Sequence, residues 1–360
     1  MPHRHHVPLA FALSFLVFVG YIFFFGPVGA QQSTAPNLKV AFIGDQGLNE
    51  NSVAVLNLIK NEGAELVVHS GDFDYNDDIH GWDKMISKVL GKNFPYLASA
   101  GNHDVGSYWQ WPPYWPWPGY QDKLENRVKR NKKVLKCDGD LGVNSVCKYK
   151  GLFILLSGVG TIGSGHVPYI TSRLNNNPYI WKICSWHKDQ EAMQIGGKPD
   201  EVGWGAYEAC REGGAIIATG HEHSYERTKT LTDISNQVVD PTCSDPNKEC
   251  VSSGRTFVFV SGLGGDSIRD QERCLDGCNG EWAKIYTSNQ GAQYGALFII
   301  FNYMEDPYRA HGYFKNINGQ IIDEFDIMAT PPIASSVSAP SAFSNMPKVV
   351  MPQILPLPVY

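Results

Sequence analysis

Seven short apolar runs recur along the chain, and six of them end in glycine. The runs are continuous rather than alternating, which is typical of strands buried on both faces of a sheet that helices cover. They occupy residues 38–44, 65–71, 95–101, 152–158, 179–186, 214–220 and 256–262. Between some of them, residues 50–62 and 204–212 carry apolar side chains at helical spacing. This pattern predicts one α/β domain, which we place at residues 37–328.

The last third of the chain has a different pattern. Runs at 294–301, 309–314 and 320–327 are expected to be antiparallel strands that close a second sheet. From residue 329 the chain is rich in Pro, Ser and Ala, which predicts a disordered or extended tail over 329–360. A signal for a glycolipid anchor is the weaker alternative, because prolines interrupt its apolar end.

The first thirty residues have the features of an export signal. Arg4 precedes an unbroken apolar run at residues 9–25, and Val28 and Ala30 fit the small-residue rule for cleavage after Ala30. An uncleaved anchor is the alternative, although the run is at the short end of the roughly 20 residues that a membrane span needs. We therefore predict a signal peptide over 1–30 and a secreted protein with no stable membrane anchor.

Eight cysteines agree with export, because an even count in a secreted chain indicates disulfides. Short spacing favours three bonds and leaves one further pair, although sequence alone does not fix the connectivity. The favoured pairs are Cys137–Cys147, Cys243–Cys250, Cys274–Cys278 and Cys184–Cys210. A zinc site at Cys274 and Cys278 is the rival interpretation, which no CxxC pair or nearby histidine supports. The chain has no Asn-x-Ser/Thr sequence, so we predict no N-glycosylation.

Polar side chains directly follow five of the predicted strands. They are Asp45; Asp72 and Tyr75; Asn102, His103 and Asp104; His187; and His221 and His223. In open α/β sheets, sites form beyond the carboxyl ends of strands, so one sheet could bring these groups together. Glycines at 44, 71, 101 and 220 fit sharp turns at these ends.

The number and kind of these donors indicate a metal centre. Two aspartates, one asparagine, three histidines and a tyrosine exceed what one ion needs, and suit two adjacent cations bridged by a carboxylate. The mixture of oxygen and nitrogen donors favours Fe, Mn or Zn over Ca.

Five blocks, GDQG, GDFDY, GNHD, CSWH and GHEH in this order, resemble the signature of the calcineurin-like metallophosphoesterases. The resemblance covers about residues 38–225 and is closest to the purple acid phosphatase branch. It implies an α/β sandwich of two mixed β-sheets flanked by helices. The ordinary family has Asp-x-His in the first block, whereas Gly47 stands at the histidine position here. Tyr75 follows Asp72 by three residues, as in purple acid phosphatases, and a hard phenolate shifts this position toward Fe(III).

The resemblance also implies a role for each residue. Asp45, Tyr75 and His223 would bind a ferric ion. Asn102, His187 and His221 would bind a divalent ion (Fe, Zn or Mn), and Asp72 would bridge the two. His103 would contact the substrate and protonate the leaving group. Apart from the resemblance, the neighbouring Asp104 is expected to orient His103.

The function that follows is a secreted acid phosphatase in which a metal-bound hydroxide attacks phosphate monoesters. A phosphodiesterase or nucleotide pyrophosphatase on the same scaffold is the alternative, and a non-catalytic secreted binding protein is a third possibility. The expected partner is a phosphorylated small molecule. The net charge of −6 argues against general nucleic-acid binding.

Two segments depart from the family pattern or add to it. Many purple acid phosphatases carry further substrate-facing histidines after the fourth block, but residues 188–201 contain none. Residues 108–120 form an aromatic and proline-rich segment, which we expect either to cover the metals or to pack on the domain.

Overall fold

Most of the predicted strands and helices form over shorter spans than the sequence runs, but the strands Arg309–Asn316 and Ile321–Ala329 are longer than predicted. The structure is a computed structural model that describes residues 34–106 and 115–330. The strands of these residues are β1 (Leu38–Ile43), β2 (Leu66–His69), β3 (Tyr96–Ala98), β4 (Leu135–Asp140), β5 (Asn144–Tyr149), β6 (Leu152–Ser157), β7 (Lys182–Ser185), β8 (Ile216–Thr219), β9 (Tyr225–Thr228), β10 (Leu231–Asp233), β11 (Val238–Val239), β12 (Lys248–Val251), β13 (Val258–Ser261), β14 (Trp282–Tyr286), β15 (Gly295–Phe301), β16 (Arg309–Asn316) and β17 (Ile321–Ala329). The helices are α1 (Glu50–Asn61), α2 (Ile79–Val89), α3 (Trp117–Arg130), α4 (His166–Leu174) and α5 (Gly205–Glu212).

Fifteen of these strands form two large mixed sheets, and β10 and β11 form a separate two-stranded sheet. The first has the order β12-β17-β16-β15-β1-β2-β3, and the second has the order β14-β9-β13-β8-β7-β6-β5-β4. Strands β1, β2 and β3 pair in parallel, as do β6, β7, β8 and β13 and the outer pair β12–β17, whereas the other pairs of the two sheets are antiparallel. This arrangement confirms the predicted fold class.

The two sheets face each other across an apolar core. Phe42 of β1 and Phe259 of β13 make an edge-to-face contact with ring centroids 5.2 Å apart, and Ser261 Oγ donates to Phe42 O at 2.9 Å. Buried residues of α1, α2 and α3 join this core, whereas those of α4 and α5 form a second core against β7 and β8. Continuous apolar strands therefore have both faces covered, as the sequence indicates.

One topological expectation is wrong. The strands β15, β16 and β17 pair antiparallel as predicted, but they do not close a second sheet. Strand β15 pairs with β1, with Leu38 opposite Phe301, so the three strands extend the first sheet. The edge of β1 that β2 leaves free accepts β15, and hydrophobic pattern alone does not identify that partner.

The three disulfide pairs favoured by spacing and the remaining fourth pair are all confirmed. They are Cys137–Cys147, Cys184–Cys210, Cys243–Cys250 and Cys274–Cys278. The last bond removes both thiols from the rival zinc site. The second bond connects β7 to α5, and therefore braces two elements that lead into the polar strand ends.

The predicted terminal segments lie largely outside the described residues. The signal peptide at 1–30 and residues 331–360 of the tail are in these parts of the chain. Strand β17 ends at Ala329, the first residue that we assigned to the tail. Within 34–106 and 115–330, no helix combines the length and apolarity needed to cross a membrane.

The aromatic segment is only partly described, because residues 107–114 lie outside the described ranges. Its last four residues form the first turn of α3 rather than a loop. Trp117 and Tyr120 are buried, and Tyr120 contacts Phe73 with ring centroids 5.2 Å apart. These two aromatic residues pack on the domain.

Candidate metal centre

The polar strand ends meet where the two sheets face each other. Strands β1, β2 and β3 belong to the first sheet, whereas β7 and β8 belong to the second. Ser70 Oγ, after β2, lies 3.4 Å from Ser185 Oγ at the end of β7. The expectation that one sheet brings the groups together is therefore wrong, because the site is shared by two.

Three of the polar residues adopt left-handed backbone conformations. The φ angles of Asp45, Asp72 and His221 are 56°, 57° and 67°. Among the four preceding glycines, only Gly71 has a positive φ, at 103°. The sharp turns that we expected the glycines to make are thus mostly made by the polar residues themselves. Non-glycine residues in this region are uncommon, and they concentrate at functional sites.

The glycines have a different purpose, which is to let two strand ends approach closely. A Cβ atom at Gly101 would lie only 2.1 Å from the backbone nitrogen of Asp72. A Cβ atom at Gly71 would lie 2.6 Å from the backbone nitrogen of Gly101. Larger residues at these positions would push the ends of β2 and β3 apart.

Four of the predicted ligands form one cluster, which we call the His187 cluster. His187 Nε2 lies 3.2 Å from Asp72 Oδ2, 3.1 Å from Asn102 Oδ1 and 3.1 Å from His221 Nδ1. Asp72, His187 and His221 are buried, and their ligand atoms lie within 4.8 Å of one another.

The other three predicted ligands form a second cluster, which we call the Tyr75 cluster. Tyr75 Oη lies 3.4 Å from Asp45 Oδ1 and 3.2 Å from His223 Nε2, and the latter two atoms are 3.3 Å apart. The other oxygen of Asp45 accepts from the backbone N–H of His221 at 2.9 Å, so the two clusters are adjacent. The structure thus brings all seven residues together.

The spacing and chemistry of both clusters fit metal ions. Metal–ligand distances of about 2.0–2.2 Å place neighbouring ligands about 3 Å apart, close to the separations found here. Asp72 and Asn102 present oxygens, and His187 and His221 present nitrogens, to a common point. Each of these atoms carries a lone pair, so a cation at that point would satisfy them together.

Charge interactions in the clusters lead to the same conclusion. Burial lowers the pKa of His187, but the charge and hydrogen bond of Asp72 outweigh burial and raise it to about 9. Burial would raise the pKa of Asp72, whereas the charge and hydrogen bond of His187 lower it to about 2. Burial, together with the charges of Asp45 and Asp72, raises the pKa of the Tyr75 phenol far above its ordinary value. A bound cation would reverse this field and favour the phenolate.

Each histidine is oriented through its outer nitrogen. His187 Nδ1 donates to Ser70 O at 2.9 Å, which leaves Nε2 free to act as a ligand. His223 Nδ1 lies 2.5 Å from Ser267 Oγ, and its Nε2 faces Tyr75. Partners of this kind fix the tautomer and ring orientation of metal-binding histidines.

His221 is oriented by a residue that the sequence analysis did not identify. Its Nε2 lies 2.6 Å from Glu201 Oε2, while its Nδ1 faces the His187 cluster. Glu201 is the last residue of the segment noted for its lack of histidines. The lack of histidines drew attention to this segment, but it did not indicate that Glu201 contacts His221.

The two remaining predicted site residues differ in their surroundings. His103 is exposed, and its ring centroid lies 4.5 Å from that of Tyr75. Asp104 is buried and accepts from the backbone N–H groups of Gly101 at 2.7 Å, and of Asp72 and Phe73 at 2.9 Å each. Asp104 therefore holds the backbone of two site loops, and its role in orienting His103 stays a prediction. Burial and the neighbouring charge of Asp72 raise its pKa well above the ordinary value.

Comparisons with known proteins agree with the fold and the order of the blocks. Residues 38–225 match the family model of the calcineurin-like phosphoesterases. The structure is similar to that of a purple acid phosphatase from yellow lupin (Lupinus luteus) seeds, at 18% identity and a TM-score of 0.58. That match covers 82% of this chain and 55% of the lupin chain, so this chain spans about half of the lupin protein's length.

A second solved structure has a similar fold. The structure of PhoD matches at 12% identity with a TM-score of 0.51, and the match covers 80% of this chain and 67% of that one. At these identities, both likenesses concern the fold alone. No curated protein sequence matches the chain significantly.

Proposed function

The chain belongs to the calcineurin-like phosphoesterase family, and we propose that it is a secreted acid phosphatase that hydrolyses phosphate monoesters with two metal ions. The observation that carries this proposal is the triangle of Asp45, Tyr75 and His223. A phenol oxygen is a hard donor, which suits Fe(III) better than a softer ion. Gly47 offers no side chain at the histidine position of the ordinary family, so Tyr75 supplies the third donor.

The two clusters divide the ligands between two ions. The Tyr75 cluster would hold a ferric ion, the His187 cluster would hold a divalent iron, zinc or manganese ion, and Asp72 would bridge them. When bound, the two cations would supply positive charge that offsets the negative charge of a phosphate ester and of its transition state. The protein's part is to hold the donors rigidly, through the strand ends and the outer hydrogen bonds of the histidines.

The surroundings of His103 support its proposed role as the general acid. Its side chain is exposed, and its ring centroid lies 4.5 Å from that of Tyr75, so a substrate at the clusters can reach it. Its backbone N–H donates to Asp72 Oδ1 at 2.9 Å, which ties its location to the centre. A ring nitrogen there can donate a proton to the departing alcohol oxygen.

Four disulfides support the proposed secretion, because such bonds persist in oxidising compartments. Mass spectrometry of the protein from culture medium tests this part directly. We expect a mature chain that begins after Ala30, whereas an intact first segment on membrane-bound protein would contradict it.

The visible absorption spectrum of the purified protein tests the metal centre. We expect a phenolate-to-iron charge-transfer band that disappears in Tyr75→Phe. Tyr294→Phe is the control, because Tyr294 Oη donates to the backbone oxygen of Asp266 outside both clusters. A colourless protein that still contains metal would mean that Tyr75 only packs, and would favour a centre of divalent ions.

Turnover of paired substrates tests the reaction. We expect p-nitrophenyl phosphate to be hydrolysed at acidic pH at least tenfold faster than bis-p-nitrophenyl phosphate. The reverse preference would replace the proposal with a phosphodiesterase. A metal-loaded protein that hydrolyses neither ester would indicate a binding protein.

A further inference from the structure

We propose that Glu201 is a positioning residue for His221, and that Lys188 holds Glu201 in place. The inference rests on the proposed function, because it concerns how the chain presents a ligand to the ion of the His187 cluster. It assigns a role to the segment 188–201, in which the histidines of related enzymes are missing.

The contacts of the His221 ring carry the inference. Nε2 lies 2.6 Å from Glu201 Oε2, and Nδ1 lies 3.1 Å from His187 Nε2. Among the described residues, Glu201 provides the one hydrogen-bond partner of Nε2. The backbone of His221 is held separately, since its N–H donates to Asp45 and its oxygen accepts from Lys198 Nζ. Glu201 therefore controls the ring rather than the backbone.

The chemistry of the contact determines which nitrogen can bind an ion. A carboxylate accepts the Nε2–H of a neutral imidazole, which leaves the lone pair on Nδ1. That lone pair points toward Asp72 and His187, where the cluster converges. Without Glu201, the ring can rotate or carry its proton on Nδ1, and either change removes one ligand.

Lys188 completes the arrangement. Its Nζ contacts Glu201 Oε1, so the two carboxylate oxygens bond in different directions. Lys188 directly follows His187, and it thereby connects the two histidines of the cluster through Glu201. Its effect is to restrict the orientation of the carboxylate.

A chelator challenge of the purified full chain, with zinc as the divalent ion, tests the inference. Zinc and iron are counted by mass spectrometry after incubation with increasing dipicolinate. We expect Glu201→Ala to bind zinc with about 10–100-fold lower affinity than the wild-type protein and to retain its iron. Glu201→Gln should fall between the two, because its amide oxygen can still accept from Nε2. Lys188→Met should shift zinc affinity in the same direction by a smaller factor.

The control is Glu191→Gln. Glu191 is a carboxylate of the same segment, but it pairs with Arg273 away from the clusters. The zinc affinity of the Glu191→Gln variant should equal that of the wild-type protein. The thermal midpoint of each metal-free variant shows whether folding has changed.

The outcomes separate this inference from the proposed function. If Glu201→Ala retains zinc like the wild-type protein, the positioning role is wrong and the proposed function stands. Equal loss of zinc and iron together with a lowered metal-free midpoint also overturns the role, because Glu201 would then be structural. A wild-type protein that takes up no metal would overturn both.

Discussion

Two buried polar clusters of this protein have opposite compositions. Around Arg227, the N–H donors of the guanidinium are matched by carboxylate and carbonyl acceptors. Its guanidinium donates to Asp323 at 2.8 and 3.0 Å, to Pro246 O at 2.8 Å and to Glu249, and it lies 3.8 Å from the ring of Phe325. In the metal centre, carboxylates, imidazoles and a phenol converge instead, and no Lys or Arg side chain of the described residues pairs with Asp45 or Asp72. Without an ion, the raised pKa of His187 lets a proton on its ring offset the charge of Asp72.

The difference separates a structural cluster from a functional one. The Arg227 cluster is complete within the protein, since β9, β12 and β17 each supply one of its charged residues. In the metal centre, protons on Tyr75 and His187 pair with Asp45 and Asp72, and bound cations would take the place of these protons. Buried charge is therefore not itself a sign of function, whereas a concentration of side chains that can bind metal is.

Removal of the proposed bridging ligand should have the largest effect. We expect Asp72→Asn to reduce phosphatase activity by about a thousandfold or more, because both ions lose an anionic ligand. Asparagine tolerates the left-handed backbone at this position, so folding should be preserved. Activity and metal content are the measurements.

Asp77→Asn is the matched control, because Asp77 has a φ of 56°, close to the 57° of Asp72, and lies in the same loop but outside both clusters. It should retain activity and metal. Near-normal turnover by Asp72→Asn would contradict the bridging role.

Replacement of Arg227 should lower the stability of the fold but leave the metal centre unaffected. Arg227→Met leaves two buried carboxylates unpaired, and we expect it to lower the free energy of unfolding by about 3–5 kcal/mol. The folded fraction should keep its metal and its activity per molecule. Arg309→Met is the control, because Arg309 pairs with Asp326 near the surface and should contribute about 1 kcal/mol or less. Equal effects of the two variants in urea unfolding would remove the distinction.

The pH dependence of the free energy of unfolding should further distinguish the metal centre from the Arg227 cluster. In the metal-free protein, the pKa of His187 rises from 6.5 to about 9. Its pairing with Asp72 therefore stabilises the fold fully below pH 6.5, and this contribution is lost as the pH rises through 9. The shift corresponds to about 3 kcal/mol at most. The pKa of Asp72 is lowered from 3.8 to about 2. The same interaction therefore also has an acidic limit, and it is lost as the pH falls through 2.

Urea unfolding of the metal-free protein at pH 6.5 and 9.5 measures this effect. His187→Gln should flatten the difference between the two pH values, because the titrating ring is absent. The metal-loaded protein should show the opposite slope, since protons compete with the ion for His187. An equal decline in both forms would show that the pair does not titrate as described.

The sequence predicted much of the fold because burial on both faces leaves a local pattern. The runs at 38–44, 65–71 and 214–220 are continuous and apolar, and each became a central strand. The assignment of strands to two sheets was not predictable in the same way. Strand β15 pairs with β1 across more than 250 residues, and no local pattern encodes such a partner.

The candidate site, like the fold, was predictable only in part. Its proposed ligands follow strands directly, so their positions were visible in the sequence. Glu201 and Ser267 were missed, because they lie on irregular segments 20 and 44 residues away from the histidines that they contact. A residue that orients a ligand needs only one suitable atom, and many side chains provide it. The sequence constraint on such a residue is therefore weak.

The left-handed backbone at Asp45, Asp72 and His221 has a consequence for the evolution of this scaffold. Few residue types tolerate that conformation, and aspartate, asparagine, histidine and glycine are foremost among them. A descendant that abandoned catalysis would thus remain restricted at these positions by the backbone alone. We expect such lineages to drift toward asparagine or glycine there, so that the three turns outlast the chemistry they once supported.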